Sequence, residues 1–569
     1  MYVDAFLERE KNQILVVERD HKGKRQFVTH PTKYIAYWPS PKGKIPNIHG
    51  EMCDRFQTTK LKEFQRETSM LPKSGLHESD INPIFRCLYD HYKGAPSPDL
   101  HVAFFDIEVD FDPERGFSSP DDAFAPITAI SVYLGWLERN FTMVIKPKGM
   151  TTEDAQKIVD RFDDTVLCEN EKELLEIFLG LIEDADIVSG WNSEGFDIPY
   201  IHNRIVQVLG KEETRKLCLW GKFPKRREYE SYGRDTITYD LVGRIHMDYL
   251  QLYRKNTYHE MHSYRLDFVG EYEVGDKKIH YEGSLDALYN NDFEKFIEYN
   301  RQDVMLLVKI DRKNKFIELS NNLAHENCVL LGTTMGAVAL IDQAIVNEAH
   351  DLGMVVPNRK REEFGAGGSG DDDDDDELNI SGVVGAYVAD PKEGMHDWIG
   401  GVDINSLYPS AIRALNMSPE TVVGHIRSEH TDRLITKRMG AEKKSFADSW
   451  NGMFGTLEYN QVMNQDLTPI TIDFEDGSTT TVSAGELYDL VFKSGKKLIL
   501  SANGTIFTME KKGIIPGLLA RWYAERKQLQ AEMRRYGDLA GSGLKLDDEL
   551  AEQVREILNG TDSTSSQSD

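Results

Sequence analysis

Acidic residues recur along this sequence at spacings that could do metal-assisted phosphate chemistry. Asp106 and Glu108 lie two apart in Val102-Ala-Phe-Phe-Asp-Ile-Glu-Val109. If that run is a strand, side chains alternate and both carboxylates face one side. The run is otherwise apolar, so paired acids there must be compensated, and a divalent cation is the simplest compensation. Trp191-Asn-Ser-Glu-Gly-Phe-Asp197 ends in an acid at the start of a helix, a place where Asp is also an ordinary cap. Tyr299-Asn-Arg-Gln-Asp303 puts Tyr299 and Asp303 on one helix face, which taken singly is a common polar flank. Farther on, Trp398 to Asn416 reads as an apolar strand ending at Asp403, a turn, and a helix carrying Ile412 and Leu415. The free N–H groups of a helix N-terminus suit a phosphate, and an acid beside them would hold Mg²⁺ against a triphosphate.

These groups need a scaffold, and the hydrophobic pattern predicts one. Leu100 to Val109 is a dense apolar run, read as a buried strand. Ile127 to Trp136 and Phe141 to Ile145 are two more strands, joined by a turn at Leu137 to Asn140. Glu173 to Leu181 has helical spacing, with Leu174, Ile177, Phe178 and Leu181 on one face. Ile187-Val188 is a short strand, and Phe196 to Leu209 and Asp292 to Leu319 are helices. Strands followed by mixed strands and helices predict an α/β sheet domain over residues 100–330, after a strand-rich first hundred residues. Lys225 to Tyr239 reads as a hairpin about a Tyr232-Gly233 turn. Its basic start and tyrosines suit a single nucleic-acid strand, and equally a solvent-exposed hairpin.

Composition narrows the class. The 569 residues correspond to roughly three to five domains. Lys and Arg total 67 against 95 Asp and Glu, a net charge of −28, which argues against coating nucleic acid by bulk charge and leaves room for a local basic groove. Apolar residues at 40% and charged residues at 28% exclude a wholly disordered or fibrous chain. No apolar run approaches the roughly 18 residues of a membrane span. The start carries Arg9 and Lys11 without an apolar core, so it is not a secretory signal. Cys53, Cys87, Cys168, Cys218 and Cys328 lie far apart with no CxxC pair, which predicts neither a zinc site nor disulfides, and a reducing cytosol. Gly365 to Gly370 runs into the acidic stretch Asp371 to Glu377, expected to be a solvated loop, with an acidic interaction tail or DNA mimic as the alternative. Asn559 to Asp569 reads as a disordered terminus.

Taken together, Asp-x-Glu on a strand, N-x-x-x-F-D before a helix and Y-x-x-x-D on a later helix resemble the DEDDy class of 3′→5′ exonucleases with an RNase H-like fold. The resemblance implies that Asp106, Glu108, Asp197 and Asp303 hold two Mg²⁺ ions, with Mn²⁺ as a substitute. It implies that Tyr299 orients the attacking water, and that Asn192 and Phe196 contact the 3′ end of the strand. Residues 398–416 resemble motif A of family B DNA polymerases, D-x-x-S-L-Y-P-S-I-I, matching at Asp403, Ser406, Leu407, Tyr408, Pro409 and Ser410, with Ala411 in place of the first isoleucine. By that resemblance Asp403 ligates both metals of a second site and the Ile404 carbonyl ligates one. The backbone of Ser406, Leu407 and Tyr408 would hold the triphosphate, and Tyr408 would exclude a 2′-hydroxyl. Gly513-Ile-Ile-Pro516 and Arg521 to Lys527 resemble the palm-to-fingers junction, where Arg526 would grip the incoming nucleotide, ahead of Lys527. His77 to Pro83 is most similar to the T-even-type phage replicative group. The family's Y-x-G-G/A linker stands here as Val383-Val-Gly-Ala386, without its tyrosine.

The fingers motif K-x-x-x-N-x-x-Y-G and the palm motif D-T-D are absent from these residues, and Gly560 to Ser563 lacks the first Asp of the latter. The expected architecture is therefore α/β and multi-domain. It comprises an N-terminal domain over 1–100, an RNase H-like exonuclease over 101–330, and a return segment with acidic linker over 331–380. A partial palm over 381–516 and the start of the fingers over 517–569 follow. The expected function is the N-terminal part of a replicative DNA-directed DNA polymerase, completed by a separately encoded C-terminal chain. The terminal tail, ending in solvent, favours that state over a truncated or interrupted polymerase. A fragment acting only as an exonuclease, or as a non-catalytic DNA-binding module, is the alternative. Implied partners are primer-template and single-stranded DNA, deoxynucleoside triphosphates, a sliding clamp and other replisome proteins, in the cytoplasm of a phage-infected host and not at a membrane.

Overall fold

A computed structural model of the protein describes residues 1–72, 75–231, 234–359, 393–404, 406–427, 469–475, 477–501 and 504–541, and every statement below refers to these. The Tyr232-Gly233 turn, the Gly365 to Glu377 stretch, Val383 to Ala386 and Asn559 to Asp569 lie outside them. The chain divides into two compact units, Met1–Glu377 and Leu378–Asp569.

The first unit opens with strands β1 (Tyr2–Glu8), β2 (Gln13–Arg19) and β3 (Arg25–Pro31), an antiparallel sheet in that order. Strands β4 (Tyr34–Pro39), β5 (Ile45–Pro46) and β6 (Met52–Thr58) form a second, small sheet, and helices α1 (Leu61–Ser69) and α2 (Pro83–Tyr92) follow. Asn82 caps α2 by accepting from the Ile84 N–H at 3.0 Å, with Pro83 at the first helical position.

The third sheet carries the site. Its strands in chain order are β7 (Val102–Val109), β8 (Ile127–Leu134), β9 (Arg139–Ile145) and β10 (Thr165–Cys168), then β11 (Ile187–Ser189) and β14 (Ile245–His246) after an intervening hairpin. The hairpin is β12 (Lys225–Ser231) paired antiparallel with β13 (Arg234–Asp240), at the expected place. In space the sheet runs β10-β9-β8-β7-β11-β14. Strands β7, β8 and β9 are antiparallel neighbours, whereas β11 is parallel to both β7 and β14. Interleaved with them are helices α3 (Thr152–Val159), α4 (Glu171–Leu181), α5 (Asp197–Val208), α6 (Tyr249–Asn256), α7 (Leu266–Val274), α8 (Leu285–Asn291), α9 (Phe293–Asn314), α10 (Phe316–Glu326) and α11 (Ala337–Asp351). This is a mixed α/β arrangement consistent with the expected RNase H-like fold.

Alternation along β7 sorts its residues between two cores. Ala103, Phe105 and Ile107 join Leu174, Leu175 and Phe178 of α4 and Ile198, Ile201 and Ile205 of α5. Phe104 faces the opposite layer, which contains Val304, Leu307 and Val308 of α9. Asp106 and Glu108 share the parity of Phe104, so they face α9. Helix α9 packs on β7, β8 and β9. All eight residues of β8 are buried, as befits a strand covered on both faces.

The single helix expected over Asp292 to Leu319 is two. Lys315 takes a left-handed φ of 53° and parts α9 from α10, with no Gly or Pro to announce the break. The first hundred residues are tied to the third sheet by buried charge. Arg19, fully buried, ion-pairs with Asp186, which itself accepts from the His101 N–H at 2.9 Å. The Tyr2 hydroxyl bonds the carbonyls of Ala324 and Val329 at 2.8 and 2.7 Å. Residues beyond α11 return to the second sheet, where Ile48 N–H donates to Val355 at 3.0 Å.

In the second unit, α12 (Leu407–Leu415) leads to β15 (Val422–Ile426) in a five-stranded sheet with β16 (Pro469–Phe474), β17 (Thr479–Ser483), β18 (Leu498–Leu500) and β19 (Thr505–Thr508). A long helix, α13 (Ile514–Gly541), ends the described chain. The strand expected to end at Asp403 is not formed. Among the described residues, 393–404 have no ladder partner, and Trp398, Ile399, Val402 and Ile404 are exposed. An apolar run becomes a strand only where neighbouring strands take up its backbone groups. No helix among the described residues is long and apolar enough to cross a membrane.

Candidate functional site

Three of the four expected carboxylates converge. Donor atoms of Asp106, Glu108 and Asp303 all lie within 4.8 Å of one another. Strand period two delivers the first pair, and the helical face of α9 delivers Asp303 beside Tyr299. Asp197, at the first turn of α5, is buried next to them, with its carboxyl near the backbone of Ile107, the residue between the β7 acids.

Glycine is required at the turn that brings Asp197 in. A Cβ on Gly190 would lie 2.8 Å from the Ser193 Cβ and 3.0 Å from the Phe105 carbonyl oxygen. Asp248 then holds the loop. Its carboxylate accepts from the N–H groups of Asn192 (3.0 Å), Glu194 (3.1 Å) and Leu250 (2.9 Å), fastening the loop to the start of α6. Asn192 sits at a left-handed φ of 62°, which Asn tolerates better than most residues.

The electrostatics are those of a site built for a cation. Burial, and then Asp303, push Glu108 up to about 8. Burial, and then Asp248, push Asp197 up to about 7. Burial, and then Glu108, raise Asp106 well above the usual carboxylate range, and burial raises Asp303. One cation answers them. Lys278 Nζ donates to Asp303 Oδ2 at 2.5 Å and to the Tyr299 hydroxyl at 3.1 Å. Asn300 Nδ2 donates to Asp106 Oδ2 at 3.0 Å. Asp303 Oδ1 is buried with no hydrogen-bond partner among the described residues. A hard-oxygen donor set with an orphaned carboxylate oxygen and too little positive charge fits divalent cations.

Beside the cluster is a cavity of about 830 Å³, lined by Asp106, Asn192, Lys278, Tyr281 and Tyr299 among others. Of the two residues expected to contact the strand, Asn192 lines it. Phe196 does not line it; its ring packs between Phe117 and Tyr200, at centroid distances of 5.9 and 5.3 Å. Lys278 and Asp248 were missed in the sequence. Asp248 precedes a helix and reads as a cap, and Lys278 lies in a loop whose approach to α9 is set by tertiary packing.

Two outcomes follow. An unfolded chain ionises these carboxylates near pH 4, while the folded cluster resists until about pH 7 to 8. Between those limits the folded state binds more protons, so metal-free stability falls as pH rises. In EDTA, the melting temperature of the wild type is expected to drop more steeply between about pH 5 and about pH 8 than that of Glu108→Gln; parallel curves would contradict this. Lys278→Met, which leaves the cluster without its cation, is expected to cost about 2 kcal/mol in EDTA and to be rescued by Mn²⁺. A wild-type melting temperature in EDTA would count against that role.

The polymerase-like residues lie in the second unit. Ser406, at a left-handed φ of 55°, precedes α12, and Leu407 and Tyr408 open it. Asp403, Ile404, Leu407, Tyr408 and Arg526 are all exposed. Asp403 belongs to no group of three or more metal-donor side chains among the described residues. Helix α13 is anchored to the turn after α12. Asn416 donates to the carbonyls of Thr508 (2.7 Å) and Lys511 (2.8 Å) and accepts from the Gly513 N–H (2.9 Å), and Glu420 accepts from the Ile514 N–H (2.6 Å). The Arg413 guanidinium stacks over Tyr523 at 4.3 Å and Lys527 Nζ lies 4.8 Å from the same ring.

Residues 61–269 match the family described as DNA polymerase family B, exonuclease domain, and residues 330–544 match DNA polymerase family B. The chain is 26% identical over 485 residues to the DNA-directed DNA polymerase of Escherichia phage RB69, a match covering 80% of this chain and 51% of that one. It is 25% identical over 528 residues to the DNA-directed DNA polymerase of Enterobacteria phage T4, covering 87% and 55%. Against the DNA polymerase of Paramecium bursaria Chlorella virus NY2A it is 26% identical over 364 residues, covering 58% and 36%. The chain spans about half the length of the two phage relatives.

Proposed function

We infer, because the chain carries family B DNA polymerase exonuclease and polymerase domains, that its first unit removes nucleotides from the 3′ end of DNA and that its second contributes part of a nucleotide-addition site. The observation that carries the exonuclease reading is the cluster of half-buried Asp106 with buried Glu108 and Asp303, whose donor atoms lie within 4.8 Å of one another beside a cavity of about 830 Å³. Asp106, Glu108, Asp197 and Asp303 would hold divalent cations, Mg²⁺ with Mn²⁺ as a substitute, which when bound supply Lewis-acid stabilisation of charge on the phosphodiester oxygens.

The chain's own groups do the rest. Burial raises the Tyr299 hydroxyl pKa, so it keeps its proton and orients the attacking water by hydrogen bonding instead of acting as its base. Lys278 holds that hydroxyl in place. Asn192 contacts the 3′ end from the cavity wall, and Phe196 supports the same loop from its aromatic stack. In the second unit Asp403 and the Ile404 carbonyl are the proposed metal ligands. The Ser406, Leu407 and Tyr408 backbone and Arg526 are the proposed triphosphate contacts.

Residues 1–569 supply one polymerase carboxylate, Asp403, so nucleotide addition draws on a further polymerase segment, as a separate chain in the reading favoured here. A fragment limited to 3′→5′ hydrolysis or to DNA binding is the competing reading. Primer-template and single-stranded DNA, deoxynucleoside triphosphates, and a sliding clamp and other replisome proteins are the proposed partners, in the cytoplasm of a phage-infected host. The test is a 5′-labelled primer-template incubated with the chain and Mg²⁺. A ladder of shortened products that EDTA suppresses is expected; full-length primer throughout would refute the exonuclease reading.

A further inference from the structure

Cys87 differs from the other four cysteines. Cys53, Cys168 and Cys328 donate to the carbonyls of Glu51, Val166 and His325 at 3.7, 4.0 and 3.9 Å. Cys218 accepts from the Val242 N–H at 3.2 Å. Cys87 is buried, and its thiol has no hydrogen-bond partner among the described residues. What surrounds it instead is a pair of imidazoles: donor atoms of His30, Cys87 and His91 lie within 4.8 Å of one another. Cys87 and His91 are four apart on α2 and share a face, while His30 comes from β3. The two imidazole rings stack at 4.0 Å with an interplanar angle of 21°.

Hydrogen bonding settles the His30 tautomer. The Tyr92 hydroxyl donates its one proton to Glu18 Oε1 at 2.5 Å. It can therefore only accept from His30 Nε2, 3.1 Å away. The ring proton sits on Nε2, and Nδ1 is left with a free lone pair. Burial, and then His91, lower the His30 pKa, which keeps the ring neutral. A carboxylate acting through a polar group on the far nitrogen is the outer arrangement that orients an imidazole toward a metal.

We propose that His30, Cys87 and His91 form a binding site for one borderline-soft divalent cation of the zinc class, pinning β3 to α2. One thiolate and two neutral imidazoles are the donor set such a cation takes, and the exposed side of His91 leaves a fourth position to solvent. Tetrahedral zinc needs donors about 3.3–3.6 Å apart, so on binding the donor atoms close by at most about an ångström and the stacked rings splay to turn their lone pairs toward one ion. Burial, and then Asp90, push the Cys87 thiol up to about 12, and the cation displaces its proton to solvent as the sulfur–metal bond forms. The site is remote in type from the all-carboxylate cluster, which offers only hard oxygen donors.

The test is a Co²⁺ titration of the full chain after EDTA treatment and dialysis. A near-ultraviolet thiolate-to-cobalt charge-transfer band is expected to saturate at one equivalent and to bleach on adding Zn²⁺. Co²⁺ at the carboxylates cannot produce that band. The band is expected to vanish in Cys87→Ala and to persist in Asp106→Ala/Glu108→Ala. No band in the wild type, which requires no variant to fold, or a band that survives Cys87→Ala, would overturn the assignment.

Discussion

The Asp106→Ala/Glu108→Ala variant is expected to lose 3′→5′ shortening by about a thousandfold or more, since removing metal-held charge stabilisation forfeits about 4 kcal/mol of barrier lowering. The same change is expected to leave the fold intact. Both side chains face α9, whereas the packing of β7 onto α4 and α5 is made by Ala103, Phe105 and Ile107. Glu108 and Asp106 are also held in unfavourable company, each raised by burial and by neighbouring carboxylates. Deleting them relieves repulsion in the metal-free state, so the melting temperature in EDTA should equal or exceed that of the wild type. Activity lost together with stability would be uninformative for most catalytic residues; here the two should move apart. Shortening at the wild-type rate would sink the exonuclease assignment.

On the proposed reading, primer extension is expected to be absent from residues 1–569 alone and to emerge only when a polymerase segment carrying a second metal-binding carboxylate is supplied. Phosphoryl transfer at a two-metal site needs more than one carboxylate, and Asp403 stands on an exposed segment outside any group of three or more metal donors. In the completed mixture, Asp403→Ala is expected to abolish extension while shortening continues, because the cluster at Asp106 lies in the other unit. The readout is one gel with template, all four nucleotides and labelled primer. Extension by residues 1–569 alone that depends on Asp403 would disprove the requirement.

How much of this was legible in the sequence depends on the range of the interaction concerned. Asp106 and Glu108 were legible because period two on a strand is a local property, and Tyr299 and Asp303 because period 3.6 on a helix is another. That the acids meet was implied by the resemblance of their order along the chain to the DEDDy exonucleases. The strand expected at Asp403 failed because a strand is half of a pair, and no pattern within residues 398–403 states whether a partner is present. The break at Lys315 was invisible because an ordinary lysine adopts the left-handed backbone there. Lys278 was invisible for a different reason: a loop lysine acquires meaning only from the α9 carboxylate it reaches. Cys87 was read only as one of five cysteines lying far apart, because spacing rules see neighbours in sequence, whereas His30 reaches it from a strand in another part of the chain.

The buried Arg19 and Asp186 pair bears on how this part of the protein can be inherited and exchanged. A boundary near residue 100 looks like a seam at which an exonuclease could be lifted out and recombined with other polymerases. Cutting there would strand Asp186, fully enclosed, without the guanidinium that neutralises it, and would remove the Tyr2 hydroxyl from two carbonyls at the end of α10. The exonuclease sheet and the strands before it are therefore one unit of stability, and an exonuclease cut free at residue 100 is expected to melt below the same sheet carried with residues 1–359.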